Sequence, residues 1–342
     1  MPKLLREYDQ DALRLANTTY NKILQFNLAR QYDPPEAVPP VRFLYHYTSV
    51  DGLKGIIENN ELWATSAYYL NDSAEVFYGC GVLSQVLDEW LAENPHPAHS
   101  LSHGLVTDLR QAFGDDFLNK TLIRPIYLVC FCEDDNLLSQ WRAYGQSGGY
   151  SLGFNVKIGS RFQNEGFLPE PKVYTGKWVK VEYERSKQAA KCKSVLTSLL
   201  AIIDNPKLGD AIAAINGHPF NEYANFLKVF TEILFEEIVS FKNEAFKVEN
   251  EWRIVVAQRE LMKQGVDDGG KTPTPIYFRC SKGLLVPYVK LNALSLKKLP
   301  LASVRSGPTL DKMSALMAID MILEKNGFPP LRVQGSDITV RF

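Results

Sequence analysis

The chain has 342 residues, 45% of them hydrophobic, 11% aromatic and 23% charged. This composition excludes wholesale disorder and allows a substantial buried core, in one large domain or two modest ones. Lysine plus arginine (38) and aspartate plus glutamate (39) leave a formal net charge of −1, so no global field draws the molecule towards nucleic acid or an anionic membrane.

Residues 4–31 carry Leu5, Tyr8, Leu13, Ala16, Tyr20, Ile23 and Phe26 at roughly helical spacing, which predicts an amphipathic helix. The run Asp33–Pro40, with prolines at 34, 35, 39 and 40, breaks it into an extended connector. The opening stretch lacks the apolar core of a signal peptide, and the most apolar run, residues 195–203, is far too short to cross a bilayer. Cys80, Cys130, Cys132, Cys192 and Cys280 are scattered and odd in number, as expected of reduced thiols. The expectation is a cytoplasmic protein with no membrane partner and no nucleic-acid signal; no pattern bears on oligomeric state.

Val41–Tyr47 predicts a strand, followed by a short helix at Leu53, Ile56 and Ile57 that Thr48, Ser49 or Asp51 could cap. A short strand at Leu62–Ser66, a turn at Asn71–Ser73 and a helix over Ala74–Leu91 come next. Further helix is expected over Val106–Asn119, a buried strand over Pro125–Cys132, a short helix over Leu137–Tyr144 and a strand over Tyr150–Asn155. Gln188–Ile203 and Phe226–Phe241 read as two helices separated by a loop, a helical insertion over about 185–245. Strands are then expected at Trp252–Ala257, Ile276–Cys280, Leu284–Val289, Ala302–Arg305 and Leu331–Gln334, with a polar loop over 261–275 and a helix over Thr309–Lys325. The fold class is α+β. The expected organisation is a helix and Pro-rich connector over 1–40, then a single domain over 41–342.

Two segments stand out for chemistry. His46 ends the first strand, where backbone geometry can hold its ring nitrogens in a cleft; the alternative is a histidine satisfied by a backbone carbonyl. Glu249 and Glu251 stand two residues apart before an apolar strand, where period-2 alternation would place both on one side. Such a pair repels unless a cation compensates, and Arg253 is the nearest candidate. Its other reading is a solvated strand start with glutamates paired to Lys242, Lys247 or Arg253. Cys130 and Cys132, with His96, His99 and His103, do not form a zinc pattern, so no metal is expected. Gly145–Gly149 lacks the lysine of a phosphate loop and reads as a turn. Gly307-Pro308-Thr309 opens a helix and could present N–H groups to an anion, or be an ordinary helix start.

Taken together, Leu44–Ser49 (LYHYTS), Leu70–Asp72 (LND), Cys130–Gly145 (CFCEDDNLLSQWRAYG), Gly149–Phe154, Glu249–Val255 (ENEWRIV), Ser306–Pro308 and the closing SDITVR resemble the bacterial domain-of-unknown-function family numbered 2971. Their order also resembles, more weakly, the ADP-ribosyltransferase fold. That resemblance implies a mixed, mainly antiparallel split β-sheet core and NAD as substrate. It carries Glu251, with Glu249, into the catalytic role. His46, Tyr47, Thr48, Tyr69, Asn71, Cys132, Trp141 and Arg253 are carried into NAD contact, and Tyr47, Tyr68, Tyr69 or Tyr78 could stack on nicotinamide. A carboxylate fixed near the ribose would stabilise the positive charge that develops as the nicotinamide bond breaks.

The implied activity is an NAD-consuming ADP-ribosyltransferase with a macromolecular acceptor, or an NAD glycohydrolase; a role in toxin or antiphage defence fits by analogy. The second strand ends Cys-Phe-Cys where that fold has a Ser/Thr pattern. Two other classes stay open: a non-catalytic ligand- or partner-binding module, and a metal-dependent nuclease using Asp134, Asp135, Glu249 and Glu251.

Overall fold

In the computed structural model of the chain, the described residues are 10–32, 41–70, 74–95, 100–114, 126–144, 148–156, 174–214, 222–258, 276–281, 283–292, 297–308 and 311–338. The expected Pro-rich connector, the Asn71–Ser73 turn, His96, His99, residues 145–147 and the 261–275 loop lie outside them. The chain gathers into two compact units.

The first unit takes residues from 1–33, 74–124 and 182–244, and its elements among the described residues are all helices. They are α1 (Gln10–Tyr32), α3 (Ala74–Glu93), α4 (Leu101–Ala112), α6 (Arg185–Ile203), α7 (Pro206–Ala214) and α8 (Glu222–Ile238). Helix α1 groups with α3, α4 and the helices of the 185–245 stretch. In α1, Ala12, Ala16, Tyr20 and Ile23 are buried at intervals of three and four residues, the signature of one helix face. Helix α4 starts ahead of the expected Val106 because Ser100 caps it, accepting the His103 N–H at 3.1 Å. Helix α7 fills part of what the sequence suggested was a loop.

The second unit, residues 34–73, 125–181 and 245–342, holds both sheets. Its strands are β1 (Phe43–Ser49), β2 (Glu61–Ser66), β3 (Ile126–Phe131), β4 (Gly149–Asn155), β5 (Tyr174–Lys180), β6 (Trp252–Gln258), β7 (Tyr277–Ser281), β8 (Leu284–Asn292), β9 (Leu301–Ser306) and β10 (Arg332–Gly335). The helices are α2 (Val50–Asn59), α5 (Leu138–Tyr144) and α9 (Lys312–Lys325). One sheet runs β1-β4-β9-β10 and the other β5-β6-β3-β2-β8-β7. Every pairing is antiparallel except β9 with β10. The α+β class with a mainly antiparallel core is thus what the chain adopts.

Strand β5 was not foreseen. It pairs with β6 along its whole length, from Tyr174 opposite Gln258 to Lys180 opposite Trp252, so the helices between them form an excursion from two adjacent strands. The core of this unit is built by alternation. On β3, Tyr127, Val129 and Phe131 pack with Trp252, Ile254 and Val256 of β6, and with Leu44, Leu152, Phe154 and Val304 of the smaller sheet. By register the opposite face of the larger sheet carries Leu128, Cys130 and Arg253.

Besides this packing, the two sheets are joined by backbone hydrogen bonds. Tyr45 and Cys132 exchange both backbone hydrogen bonds, at 2.9 and 2.8 Å. On the same edge of β3, β2 pairs only at Tyr127 and Leu128. Between these two attachments, around Val129 and Cys130, the sheet splits, and among the described residues the edge of β3 has no strand beside it.

Candidate functional site

A cavity of about 130 Å³ opens at this split, close to the roughly 150 Å³ that holds a single benzene-sized ring. Strand β1 contributes His46, Tyr47 and Thr48, and β3 contributes Leu128, Val129 and Cys130. Trp63 and Thr65 come from β2, Tyr69 and Leu70 from the 3-10 turn after it, Tyr144 from α5 and Arg279 from β7. Gly52 and Ile56 of α2 close one side. A Cβ on Gly52 would stand 1.9 Å from Thr48 Oγ1, so a larger residue there would force Thr48 to turn. Helix α2 is set against β1 by Ser49, whose Oγ accepts the Gly52 N–H at 3.2 Å.

His46 occupies the gap in the β3 edge. Its Nδ1 lies 2.9 Å from the Cys130 carbonyl oxygen. A carbonyl only accepts, so Nδ1 carries the proton and Nε2 is left as an acceptor. Burial holds the His46 pKa below its ordinary value; the Cys130 hydrogen bond opposes this and the nearby Arg279 guanidinium adds to it. The ring is therefore neutral at pH 7, and it lies 5.7 Å from the Phe131 ring.

Beside it runs a row of aromatic and charged side chains on β2, β8 and β7. Trp63 stacks on Tyr288 at 4.7 Å, and Tyr288 on Tyr277 at 5.7 Å. Glu61 Oε1 accepts both the Trp63 indole N–H at 2.8 Å and the Lys290 ammonium at 2.9 Å. Arg279 lies over the faces of Trp63 and Tyr288, at 5.8 and 5.9 Å from the ring centres, and donates to Thr65 Oγ1 at 2.8 Å. Burial pulls its pKa down, but a guanidinium stays charged at any physiological pH.

The other expected site residues divide. Thr48 and Tyr69 line the cavity; Asn71 lies outside the described residues. Tyr47 also lines it, but its hydroxyl is committed to the fold. It donates to the Asp134 carbonyl at 2.9 Å and accepts the Leu137 N–H at 2.8 Å, tying β1 to the loop before α5. Burial raises its pKa far above the tyrosine range. Trp141 is fully buried, edge-on to Tyr47 at 4.8 Å, with its indole N–H on Asn136 Oδ1 at 3.0 Å. Cys132 packs with both, and the cavity is touched by Cys130 instead. Tyr78 belongs to the first unit, where its hydroxyl donates to Gln188 Oε1 at 2.9 Å.

Glu251 stands across β3 from the cavity. Arg253, opposite Cys130 in the β3–β6 register, donates from Nε to Glu251 Oε1 at 2.7 Å, with side-chain exposures of 2% and 4%. Neither residue is among those lining the cavity. The expected sharing of one side by Glu249 and Glu251 does not follow from alternation. Glu249 ends a 3-10 turn (Glu244–Glu249), Asn250 adopts a left-handed φ of 41°, and β6 begins only at Trp252. Asparagine tolerates that conformation better than most residues.

The acidic turn and the Gly-Pro segment also serve the fold. Asp135 pairs with Arg305 and accepts from Gln334, both at 3.0 Å, and Asp134 accepts the Asn136 N–H at 2.8 Å. Among the described residues no group of three or more His, Cys, Asp or Glu is placed to hold a metal. Gly307 donates its N–H to the Gly149 carbonyl at 2.8 Å, and α9 starts later, capped by Asp311. The anion-binding helix start considered at Gly307-Pro308-Thr309 is therefore not formed by Gly307.

Trp63, Thr65, Tyr144 and Arg279 were not singled out from sequence, whereas Cys130 was weighed there with Cys132 as a Cys-x-Cys pair. Trp63-x-Thr65 and Tyr277-x-Arg279 share an i, i+2 spacing that puts each pair on one strand face, which was the available signal.

Among the described residues, no helix is long and apolar enough to cross a membrane. No curated protein and no solved structure matches the chain. Residues 140–254, a stretch that includes Trp141, Glu249, Glu251 and Arg253 but not His46 or Arg279, match the family described as Protein of unknown function (DUF2971), which bears out the resemblance to that family.

Proposed function

We propose that the chain is an ADP-ribosyltransferase-like protein that takes NAD at the split between its sheets. The observation that carries this reading is His46, held neutral with Nε2 as acceptor at the mouth of a ring-sized, aromatic-walled cavity. Nicotinamide fits a cavity of that size between Trp63, Tyr69 and Tyr144, and a ribose hydroxyl can donate to His46 Nε2. The mainly antiparallel arrangement of two sheets is in keeping with the fold resemblance, and Glu251 lies just across β3. The acceptor of ADP-ribose, a macromolecule or water, is part of the proposal only as a class.

The test is incubation of the purified chain with NAD, following nicotinamide release and NAD-induced thermal shift, alongside His46→Ala. A shift in the native chain that is lost in His46→Ala supports the reading; no shift and no release with any acceptor refutes it.

A second reading has its own observation. Glu251 is held by Arg253 in a buried ion pair, which favours a module that binds a ligand at His46 without transforming it. NAD binding without nicotinamide release would select that reading.

A further inference from the structure

Arg279 is the one charged side chain that lines the His46 cavity among the described residues, and no carboxylate lines it. The nearest acid in its row, Glu61, is already matched by Lys290 at 2.9 Å and by the Trp63 indole at 2.8 Å. The row is therefore charge-balanced without Arg279. Among the described residues, Arg279 has no acidic partner, and it donates a hydrogen bond to Thr65 Oγ1.

A half-buried guanidinium without a counter-ion is costly unless something supplies one. Here it is held in place by the Trp63 and Tyr288 faces on which it lies. One of its five donors is used by Thr65, and a planar fork of the remaining donors matches phosphate geometry. His46, being neutral, adds no charge and leaves the cavity with a net positive potential.

We infer that Arg279 is the anion-recognising residue of this cavity, binding a phosphate of the molecule whose ring occupies it, with Thr65 orienting the guanidinium. The chemistry required of the ligand is an aromatic ring joined through a short linker to a phosphate or diphosphate, the pattern of a nucleotide. This rests on the reading of the cavity as the NAD site and adds the residue that would recognise the diphosphate.

The experiment measures binding of NAD, nicotinamide riboside (the same ring and ribose without phosphate) and inorganic pyrophosphate by calorimetry. The proteins compared are the native chain, Arg279→Gln and Arg279→Lys, each first checked for a native-like thermal transition. Charge-assisted hydrogen bonds of this kind are worth about 10- to 100-fold in affinity. The expected result is a loss of that size for NAD and pyrophosphate in Arg279→Gln, with riboside binding unchanged. Arg279→Lys should recover part of it, since it keeps the charge without the fork. NAD binding equal in the native chain and Arg279→Gln overturns the Arg279 assignment and leaves the NAD reading standing. Pyrophosphate binding that depends on Arg279, with no binding of NAD, overturns the NAD reading and keeps the assignment. Binding of none of the three by the native chain overturns both. If Arg279→Gln does not fold, Arg279→Lys with Thr65→Val carries the same comparison: unchanged pyrophosphate affinity in both refutes the assignment.

Discussion

The Glu251–Arg253 pair makes the sharpest quantitative demand on the structure. Glu251→Gln keeps the shape of the side chain but removes the carboxylate charge that faces the Arg253 Nε at 2.7 Å, where the guanidinium side chain is 2% exposed. At that depth solvent screens little, and breaking one side of a buried pair costs about 3–5 kcal/mol. That is a large part of the roughly 5–15 kcal/mol that holds a typical domain. Replacing both partners, as Glu251→Leu with Arg253→Met, removes the desolvation cost together with the attraction and should recover most of the loss. The assay is urea unfolding followed by tryptophan fluorescence. Four of the five tryptophans, at 63, 141, 178 and 252, lie in the strand-containing unit, so the signal reports that unit. A Glu251→Gln variant within about 1 kcal/mol of the native chain would refute the argument, since surface pairs are worth that little. The same result bears on catalysis: nicotinamide release by Glu251→Gln is interpretable only per folded molecule, and a loss that tracks unfolding is not a catalytic effect.

Acidification should act through His46. Its folded pKa lies below the unfolded value near 6.5, so the unfolded chain takes up a proton that the folded chain refuses. Stability attributable to this residue is constant above pH 6.5 and falls as pH drops below it, by at most about 1.4 kcal/mol per pH unit; urea midpoints at pH 7.5 and 5.5 should differ less in His46→Gln than in the native chain. Gly307→Ala would push a Cβ to 2.9 Å from the Trp141 ring and 3.1 Å from the Gly149 carbonyl. Overpacking of this kind costs about 1–3 kcal/mol, and an unchanged melting temperature would show that the segment relaxes freely. Tyr47→Phe removes the hydroxyl that joins Asp134 and Leu137 and should cost about 1–3 kcal/mol, read by thermal melting; an unaltered transition would mean that water replaces it.

Much of this fold was legible because local pattern and tertiary demand agree. Strand β3 is apolar at nearly every position because both its faces are covered, and α2 shows its buried side through Leu53, Ile56 and Ile57. Strand β5, with Lys177 and Lys180 among its seven residues, lacks such a run; it forms because β6 offers it a complete register. The alternation read for Glu249 and Glu251 does not apply for a specific reason: it was extended three residues upstream of the start of β6, across an asparagine with positive φ. His46 could be suspected as a strand-end histidine, and its carbonyl partner was the alternative then weighed; the structure makes that partner the feature that fixes the ring. The cavity was beyond reach because it depends on where two strands leave β3, which is a property of pairing rather than of any one segment.

That origin also sorts the residues around the site. Between the β2 attachment at Leu128 and the β1 attachment at Cys132, β3 presents its backbone to no neighbouring strand on that edge among the described residues, and a polar group there must find a side chain or water. His46 meets this need at Cys130, and both residues line the cavity, so a water entering it in His46→Ala can take the place of the ring, and the change should cost little stability and much binding. Arg279 belongs with it, since among the described residues it has no acidic partner and a bound anion would bring one. Glu251, Arg253, Tyr47 and Trp141 are buried and satisfy polar groups of the fold, and their loss should appear first as instability. Variants that lower affinity at unchanged stability therefore mark the ligand-binding set. If Glu251→Gln joined that set, its carboxylate would be facing ligand, and the enzymatic reading would gain over simple binding.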